Sequence, residues 1–209
     1  MFLEKLKRVF GYDEPIFTEE ILGLFPENSR VQVFRFIKNA VEKEEIIRFD
    51  KGIYYIPRNT DFGLSTISVE SVIRKKYLSN NNDVYGIYSG IGLLNMFSIT
   101  TQVPYVIEII SNNESSKCRE IVIRGRKFIL RKSRLTINNE NASKYLILQL
   151  FNEIKKDENL NVTSKKIILD YIKEKSISRS DLLELSLKFP PNAMKNLIGS
   201  GLINEIAWK

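Results

Sequence analysis

The chain has no histidine, a single cysteine (Cys118) and no long apolar run among its 209 residues. Without histidine, Ser-His-Asp and Cys-His nucleophile pairs, zinc sites that use imidazole and histidine proton shuttles are all excluded. One cysteine cannot form an intrachain disulfide, which fits a reducing compartment. No stretch approaches the roughly 20 apolar residues of a membrane-spanning helix, and the first residues lack the pattern of a signal peptide. We therefore expect a cytoplasmic protein with no membrane contact.

Basic residues exceed acidic ones, but the excess is unevenly placed. The chain contains 32 Lys and Arg against 25 Asp and Glu, a net charge of +7. Residues 1–58 hold ten of each sign, whereas residues 59–138 hold eleven basic and six acidic residues. Between Ile121 and Asn138 there are six basic residues and no acidic one. A positive net charge favours a polyanionic partner, and most of that charge is expected in the middle of the chain.

The first 58 residues predict three helices followed by a hairpin. Residues 2–10 carry apolar side chains at helical spacing. A second short helix is expected to begin at Thr18 as its N-cap. A third begins with a capping-box pattern at Ser29 and Gln32 and runs to about Glu44. The side of the third helix that we expect to be buried consists of Val33, Phe34, Ile37 and Val41.

Two β-rich runs, 46–49 and 53–57, flank the turn Asp50-Lys51-Gly52 and predict a β-hairpin. Three helices and then a hairpin is the order of a winged helix-turn-helix, whose third helix enters the major groove while the hairpin tip lies along phosphates. We therefore predict a DNA-binding domain over residues 1–58. The alternative is a winged helix that contacts only protein or serves only as a structural unit, and the neutral charge of this segment favours that alternative. The residues expected to contact bases or phosphates are Ser29, Arg30, Gln32, Arg35, Lys38, Asn39, Arg48, Lys51 and Arg58.

Residues 66–209 predict a second domain, which makes the whole chain an α+β protein. A polar segment at 59–65 is expected to act as the linker. The second domain divides into a small β-sheet at 84–138, with helices on one side, and a helical region at 140–209. The helices expected in this region are 142–154, 163–174, 180–187 and 191–198. A closing strand is expected at 202–206.

A hairpin expected around Gly125 contains the basic run. Such a run is usually a solvated strand edge that discourages aggregation. The lack of any acid within it makes a contact with nucleic acid or with an acidic protein an equal alternative. The basic residues are Arg124, Arg126, Lys127, Arg131, Lys132 and Arg134.

No pattern in the chain predicts a metal site, a bound cofactor or a catalytic centre. A carboxylate-only metal nuclease would need clustered acids. Glu108, Glu114 and Glu120 are the only acids between Val84 and Asn139, and they lack a nuclease motif. We therefore expect a binding protein that is not an enzyme.

Three stretches of the chain carry a resemblance to a known family. The first ends the predicted winged helix, from Ile46 to Tyr54; the second runs from Gly92-Leu93-Leu94-Asn95 through Thr101-Gln102-Val103-Pro104 to Arg134; the third runs from Leu182 to Ile198. In these stretches the chain resembles the AbiEi-type antitoxins of type IV toxin–antitoxin systems, which act in abortive infection, and related predicted transcriptional regulators. One departure is Glu44, at a position before the wing where relatives commonly have glycine.

This resemblance implies an antitoxin that represses its own operon through a winged helix bound to double-stranded operator DNA. It also implies that the remainder of the chain antagonises a nucleotidyltransferase-like toxin without forming a stable complex with it. A stand-alone winged-helix repressor with no toxin partner is the alternative. A nucleotidyltransferase-like gene next to this one would distinguish the two.

Overall fold

The computed structural model describes residues 2–81, 83–155 and 160–208 of an α+β protein. The chain forms two compact units, Met1–Lys75 and Lys76–Lys209, each with its own hydrophobic core. We call them unit 1 and unit 2. The boundary between them lies later than the expected linker at 59–65. Every helix among the described residues is too short or too polar to cross a lipid bilayer.

Unit 1 contains the expected helices and hairpin, with additional short elements after them. Its central antiparallel sheet has the strand order β1-β3-β2. The elements are α1 (Phe2–Phe10), β1 (Ile16–Phe17), α2 (Thr18–Leu24), α3 (Arg30–Glu42), β2 (Ile47–Asp50), β3 (Ile53–Tyr55), β4 (Asn59–Thr60), β5 (Gly63–Leu64) and α4 (Val69–Ile73). The buried core consists of Leu6, Ile16, Ile21, Phe25, Val33, Ile37, Ala40, Ile46, Tyr54 and Ile56.

The start of α2 differs from the sequence prediction. Phe17, not Thr18, is the N-cap residue, and its backbone N–H donates to Glu20 Oε2 over 2.8 Å. Thr18 is instead the first helical residue, and its hydroxyl donates to the carbonyl oxygen of Gly52 over 3.2 Å. A carboxylate at the third helical position therefore accepts the N–H of the N-cap residue, whereas a hydroxyl at the N-cap would have accepted an N–H within the first helical turn.

The helix α3 begins as predicted and ends two residues early. At its start, Ser29 and Gln32 form the expected capping box, because each side chain accepts a backbone N–H of the other. At its end, the N–H of Glu45 donates to the carbonyl of Ala40 over 2.9 Å, which forms a Schellman motif. Glu44 occupies the left-handed position of that motif, with φ 56°. The departure from glycine therefore falls on the residue whose backbone conformation favours glycine.

The segment expected to be a linker is part of unit 1. The strands β4 and β5 pair there as a short hairpin. Ser65, which follows the hairpin, hydrogen-bonds Asp13, and its carbonyl accepts the hydroxyl of Tyr55 over 3.1 Å. Farther along, the ammonium of Lys75 lies 3.0 Å from Glu20, and its side chain is only 10% exposed. These side-chain contacts hold residues 58–75 against the first helices, which sequence spacing did not reveal.

Unit 2 combines a mixed four-stranded sheet with a group of helices. The strand order is β10-β11-β9-β8, in which β11 and β9 are parallel and the other pairs are antiparallel. After a π-helical turn (Arg74–Leu78), its elements are β6 (Ser79–Asn80), β7 (Asp83–Val84), β8 (Gly86–Ser89), α5 (Gly90–Met96), β9 (Ile107–Ser111), β10 (Arg119–Ile123), β11 (Arg126–Lys132), α6 (Ala142–Glu153), α7 (Val162–Glu174), α8 (Arg179–Ser186), α9 (Pro191–Gly199) and a 3-10 helix (Leu202–Glu205).

The helix α6 lies at the centre of unit 2. Seven consecutive residues, Tyr145–Phe151, are buried on all sides of the helix. The side chain of Asn196 in α9 donates to the carbonyls of Phe151 and Ile154, which satisfies the end of α6. The helices predicted from the sequence are confirmed to within one residue at each end. The predicted closing strand is wrong, because Leu202–Glu205 form the 3-10 helix after a left-handed Gly201.

We predict that Glu44→Gly stabilises unit 1. Glycine adopts positive φ without the steric penalty of a Cβ atom, although it also makes the unfolded chain more flexible. The expected gain in unfolding free energy is about 0.5–1 kcal/mol, measured by urea titration. The control is Glu42→Gly in the last helical turn, which should destabilise by a similar amount. Equal losses in both variants would contradict the assignment of strain to Glu44.

We also predict that Asp181 contributes stability to unit 2 that is lost in acid. Its carboxylate accepts the N–H and hydroxyl of Ser178 and lies 2.9 Å from the ammonium of Lys144. The hydrogen bond from the Ser178 hydroxyl is the main cause that lowers the pKa of Asp181 from its ordinary 3.8, and Lys144 adds to it. Because the pKa of Asp181 is lowered in the folded protein, its carboxylate takes up a proton in the unfolded chain at a higher pH than in the folded chain. The contribution of Asp181 to stability is therefore present above pH 3.8 and falls as the pH drops below that value.

Asp181→Asn should therefore be less stable than the wild type at neutral pH, and the difference should narrow in acid. The measurement is the free energy of unfolding by urea between neutral pH and about pH 3. The exposed Asp170 on α7 provides the control Asp170→Asn, which should follow the wild-type curve. A gap between Asp181→Asn and the wild type that stays constant over this pH range would contradict the prediction.

Candidate nucleic-acid interface

One side of α3 is buried, and the opposite side presents basic and apolar residues to solvent. Val33, Ile37 and Ala40 lie in the core of unit 1. Residues at helical spacing on the other side are exposed, including Arg35 and Val31, the latter 71% exposed. The helix is therefore oriented by its core contacts, with an outward face available to a partner.

The predicted buried side of α3 was wrong at one position. Phe34 is 41% exposed, and the guanidinium of Arg30 lies 5.7 Å from the centre of its ring. Sequence reasoning also omitted Val31 from the candidate surface. The signal for Val31 was present, because a residue two positions before the buried Val33 projects from the other side of a helix. Both are apolar members of an otherwise polar face.

All nine residues predicted to contact DNA are exposed, but their surroundings differ. Lys38 pairs with Glu42 over 3.7 Å, and the amide oxygen of Gln32 is occupied by the capping box. Within the part of the chain that the structure describes, the guanidinium of Arg35 has no hydrogen-bond or ion-pair partner. Among the candidates on α3, Arg35 is thus the cation least engaged by the protein itself.

The tip of the β2–β3 hairpin is held in place and exposes a lysine. The N–H of Thr18 donates to the carbonyl of Gly52 over 3.0 Å, and Gly52 has φ 73°. Lys51, beside it, is exposed, whereas Arg48 donates through Nε to the carbonyl of Asp50 over 3.4 Å. The tip therefore combines a fixed backbone with an exposed positive charge, which suits a phosphate contact.

Arg58 is less available than the sequence suggested. Its guanidinium lies 3.1 Å from Asp13, and its backbone N–H donates to the hydroxyl of Ser65. Other acids of unit 1 are also engaged away from α3, in the pairs Glu27 with Lys5 and Glu20 with Lys75. The neutral net charge of unit 1 is therefore compatible with a locally basic α3.

The hairpin of β10 and β11 confirms the predicted element, with Arg124 and Gly125 in the turn at φ 45° and 80°. The sequence run contains no acid, but its charge is partly compensated in the structure. Lys127 pairs with Glu120 on β10 over 3.2 Å, and Arg131 pairs with Glu108 on β9 over 3.0 Å. Neighbouring strands supply the acids that the sequence run lacks, because cross-strand neighbours come from distant positions in the chain.

The basic residues of this hairpin are nevertheless mostly exposed. Arg124, Arg126, Lys127, Lys132 and Arg134 are all accessible, and Arg131 is partly buried. Lys127 and Arg131 are balanced by carboxylates, so the local positive potential is smaller than the sequence count implied. The β10–β11 hairpin is therefore better interpreted as a solvated strand edge, and α3 is the stronger candidate interface.

An ion pair between a buried carboxylate, Glu114, and a half-exposed arginine, Arg119, lies at the start of β10. Glu114 is 2% exposed and accepts two hydrogen bonds from the guanidinium of Arg119, the shorter of 2.7 Å. Burial opposes ionisation of this carboxyl, but the hydrogen bonds from Ser116 and Arg119 outweigh it and lower the pKa of Glu114. The same guanidinium approaches the hydroxyl of Tyr77, whose pKa is raised by burial. The group is fully paired, which indicates a structural role.

Where the structure describes the chain, no group of three or more Cys, Asp or Glu side chains is arranged to hold a metal ion. Comparison with curated proteins found no match to this sequence. The profile of one protein family, DUF6088, described as a family of unknown function, matches residues 16–179. The match extends from β1 in unit 1 to the start of α8 in unit 2, well over half of the chain. The chain therefore belongs to the DUF6088 family.

Proposed function

We propose that unit 1 is a winged helix-turn-helix that binds double-stranded DNA. The support is its element order, in which α1, α2 and α3 precede the β2–β3 hairpin. The three-stranded sheet, with β3 between β1 and β2, attaches that hairpin to the helices. In this arrangement α3 enters the major groove, and the hairpin tip at Lys51 lies along the phosphates.

The observation that carries this proposal is the outward face of α3. It has no acid from Arg30 to Asn39, and its centre is Arg35, a residue type that bonds guanine through two hydrogen bonds. Val31 and Phe34, exposed on the same helix, can contact thymine methyl groups. Exposed apolar residues beside the guanidinium of Arg35, which is unpaired within the described chain, are costly in water and useful against base edges, so they support a DNA contact over a purely solvated face.

We further propose that the chain is a transcriptional regulator that acts as the antitoxin of a type IV toxin–antitoxin system and represses its own operon. The support is the resemblance of three stretches, from Ile46 to Ile198, to AbiEi-type antitoxins. A second consideration is size, since DNA binding needs unit 1 alone and unit 2 has a separate fold and core. Unit 2 then antagonises a nucleotidyltransferase-like toxin without a stable complex.

For DNA binding, we predict that Arg35→Ala and Lys51→Ala weaken the complex in different ways. Loss of a base contact at Arg35 should cost about 1–3 kcal/mol and relax discrimination at one base pair. Loss of a phosphate contact at Lys51 should weaken all sequences alike and reduce the salt dependence by about one charge. The measurement is fluorescence anisotropy of DNA from upstream of the gene, titrated over a range of salt concentrations.

Arg8→Ala provides the matched control, because Arg8 is an exposed basic residue of unit 1 on α1. Arg8→Ala changes the net charge by the same amount as Arg35→Ala or Lys51→Ala, and it should leave the affinity and specificity for DNA close to those of the wild type. If Arg35→Ala and Lys51→Ala bind like Arg8→Ala, α3 and the hairpin do not form the interface.

For the antitoxin function, we predict that repression and toxin antagonism separate between the two units. Arg35→Ala should derepress the promoter and still protect cells that express the cognate toxin. Simultaneous replacement of Arg124, Arg126 and Lys132 by Ala should do the reverse, if the exposed basic hairpin contacts the target of neutralisation. A promoter reporter and a growth-rescue assay, run on the same variants, measure the two activities.

The control for the hairpin variant removes three exposed lysines of unit 2 outside the hairpin, at Lys166, Lys188 and Lys195. It has the same net charge and should retain both activities. Loss of both activities in a folded Arg35→Ala or hairpin variant would show that the two roles share one surface. Repression without growth rescue by the wild type would support a stand-alone repressor instead.

A further inference from the structure

Unit 2 contains a small apolar pocket that the proposed DNA interface does not use. Its volume is about 310 Å³, at the lower end of the range of about 300–1,000 Å³ that is typical of small-molecule sites. The pocket lies between the second half of α7, the turn that follows this helix, and residues 205–208. All of its lining residues therefore belong to one compact unit.

The end of α7 forms one wall of the pocket. The helix ends in a Schellman motif, in which the N–H of Ile177 donates to the carbonyl of Ile172 over 2.9 Å and the N–H of Ser176 donates to the carbonyl of Lys173 over 3.0 Å. Ser176 occupies the left-handed position of this motif, with φ 51°. The turn brings the buried Ile177 back beside Ile172, so both side chains line the pocket.

Residues 205–208 form the other wall and are held by Arg179 at the start of α8. The backbone N–H of Arg179 donates to the carbonyl of Ala207 over 2.8 Å. Its guanidinium donates through Nη2 to the carbonyls of Asn204 and Ile206 over 3.2 and 3.1 Å. The same guanidinium lies 4.7 Å from the centre of the Trp208 ring. Three hydrogen bonds and a cation–π contact thus fix this wall relative to α8.

The interior of the pocket is apolar and remains accessible. Trp208 is 62% exposed, although its ring is positioned by Arg179. Accessible apolar surface in a concave site is typical of a place where the apolar part of a small ligand is held. The apolar lining residues are Leu169, Ile172, Ile177, Ile206, Ala207 and Trp208.

The opening of the pocket has one positive and one negative side chain. Lys173 lies in the last turn of α7, and Glu205 is the last residue of the 3-10 helix. Both are exposed to solvent. Within the residues that the structure describes, neither side chain has a hydrogen-bond or ion-pair partner, so the two do not pair with each other. Opposite charges beside one apolar interior are complementary to a small zwitterion that has an apolar chain.

We infer that this pocket of unit 2 binds a free α-amino acid with a large apolar side chain. The side chain of the amino acid lies in the apolar interior beside Trp208, its carboxylate lies at Lys173, and its ammonium group lies at Glu205. An amine or a carboxylic acid with the same apolar chain matches only one of the two charges. The site does not depend on the proposed DNA contact, since all of its residues belong to unit 2.

Fluorescence titration of the full chain without DNA tests the inference. Trp208 is the only tryptophan in the sequence, so its emission reports directly on this pocket. The probes are leucine, isoleucine, methionine and phenylalanine, and alanine is the comparison with the same charges and a shorter side chain. At least one of the four should change the emission in a saturable way and bind at least about tenfold more tightly than alanine, because it buries more apolar surface.

Isothermal titration calorimetry of the same solutions measures binding independently of the emission. Absence of binding by both methods for all four amino acids at millimolar concentration would overturn the inference. Binding of alanine as tightly as the best of the four would overturn it too, because the apolar interior would then contribute nothing.

Analogues that lack one charged group test the two ends of the zwitterion. Isoamylamine and phenethylamine are leucine and phenylalanine without the carboxylate, and isocaproate and hydrocinnamate are the same molecules without the ammonium group. Each analogue should bind about fivefold or more weakly than its parent amino acid, because one charged contact is lost. Equal affinity of an analogue and its parent would show a site for apolar molecules in general and contradict the amino-acid assignment.

Variants locate the site. Lys173→Met should weaken the amino acid and the acid analogue about fivefold without weakening the amine. Glu205→Gln should weaken the amino acid and the amine without weakening the acid analogue. The controls are Lys166→Met and Asp170→Asn, because these exposed residues of α7 do not line the pocket.

Circular dichroism melting establishes that each variant is folded, and all four substituted side chains are exposed. Equal affinity of Lys173→Met and Lys166→Met for the amino acid would place the ligand outside this pocket. The same conclusion would follow if Glu205→Gln bound the amino acid as tightly as Asp170→Asn.

Discussion

Burial of one side of α3 is the constraint on which the functional interpretation depends. Val33, Ile37 and Ala40 pack into the core of unit 1, and helical periodicity then directs Val31 and Arg35 to the opposite side. The capping box at Ser29 and the Schellman turn at Glu44 set where the helix begins and ends. The core thus determines both the direction and the extent of the exposed face.

In unit 2, burial constrains α6, in which residues Tyr145–Phe151 are buried on all sides of the helix. Because α6 is enclosed between the sheet and the other helices, Gln149 on this helix is only 5% exposed. Its side-chain amide donates to Glu153, which also accepts a hydrogen bond from the hydroxyl of Ser89. A buried polar group is costly unless it is hydrogen-bonded, so these three side chains pair with one another.

In this protein, basic side chains are balanced by acids that are close in space more than by acids that are close in sequence. The run around Gly125 contains no acid, yet Glu108 and Glu120 balance Arg131 and Lys127 across adjacent strands. In unit 1 the reverse holds, since a segment with zero net charge retains an α3 face on which Arg35 has no partner within the described chain. Net charge by segment is therefore a poor guide to which surface attracts a polyanion.

The sequence by itself determined the main helices and the hairpins β2–β3 and β10–β11. Local signals, such as the capping box at Ser29 and the turn at Gly125, act within a few residues, so they can be recognised without tertiary contacts. Tertiary structure alone decided the rest. It placed residues 59–75 in unit 1 through the contacts of Ser65 and Lys75, turned the expected last strand into a 3-10 helix, and brought Ser89 beside Glu153 in unit 2. Such features depend on side chains that are distant in sequence and adjacent in space, and no local pattern encodes that adjacency.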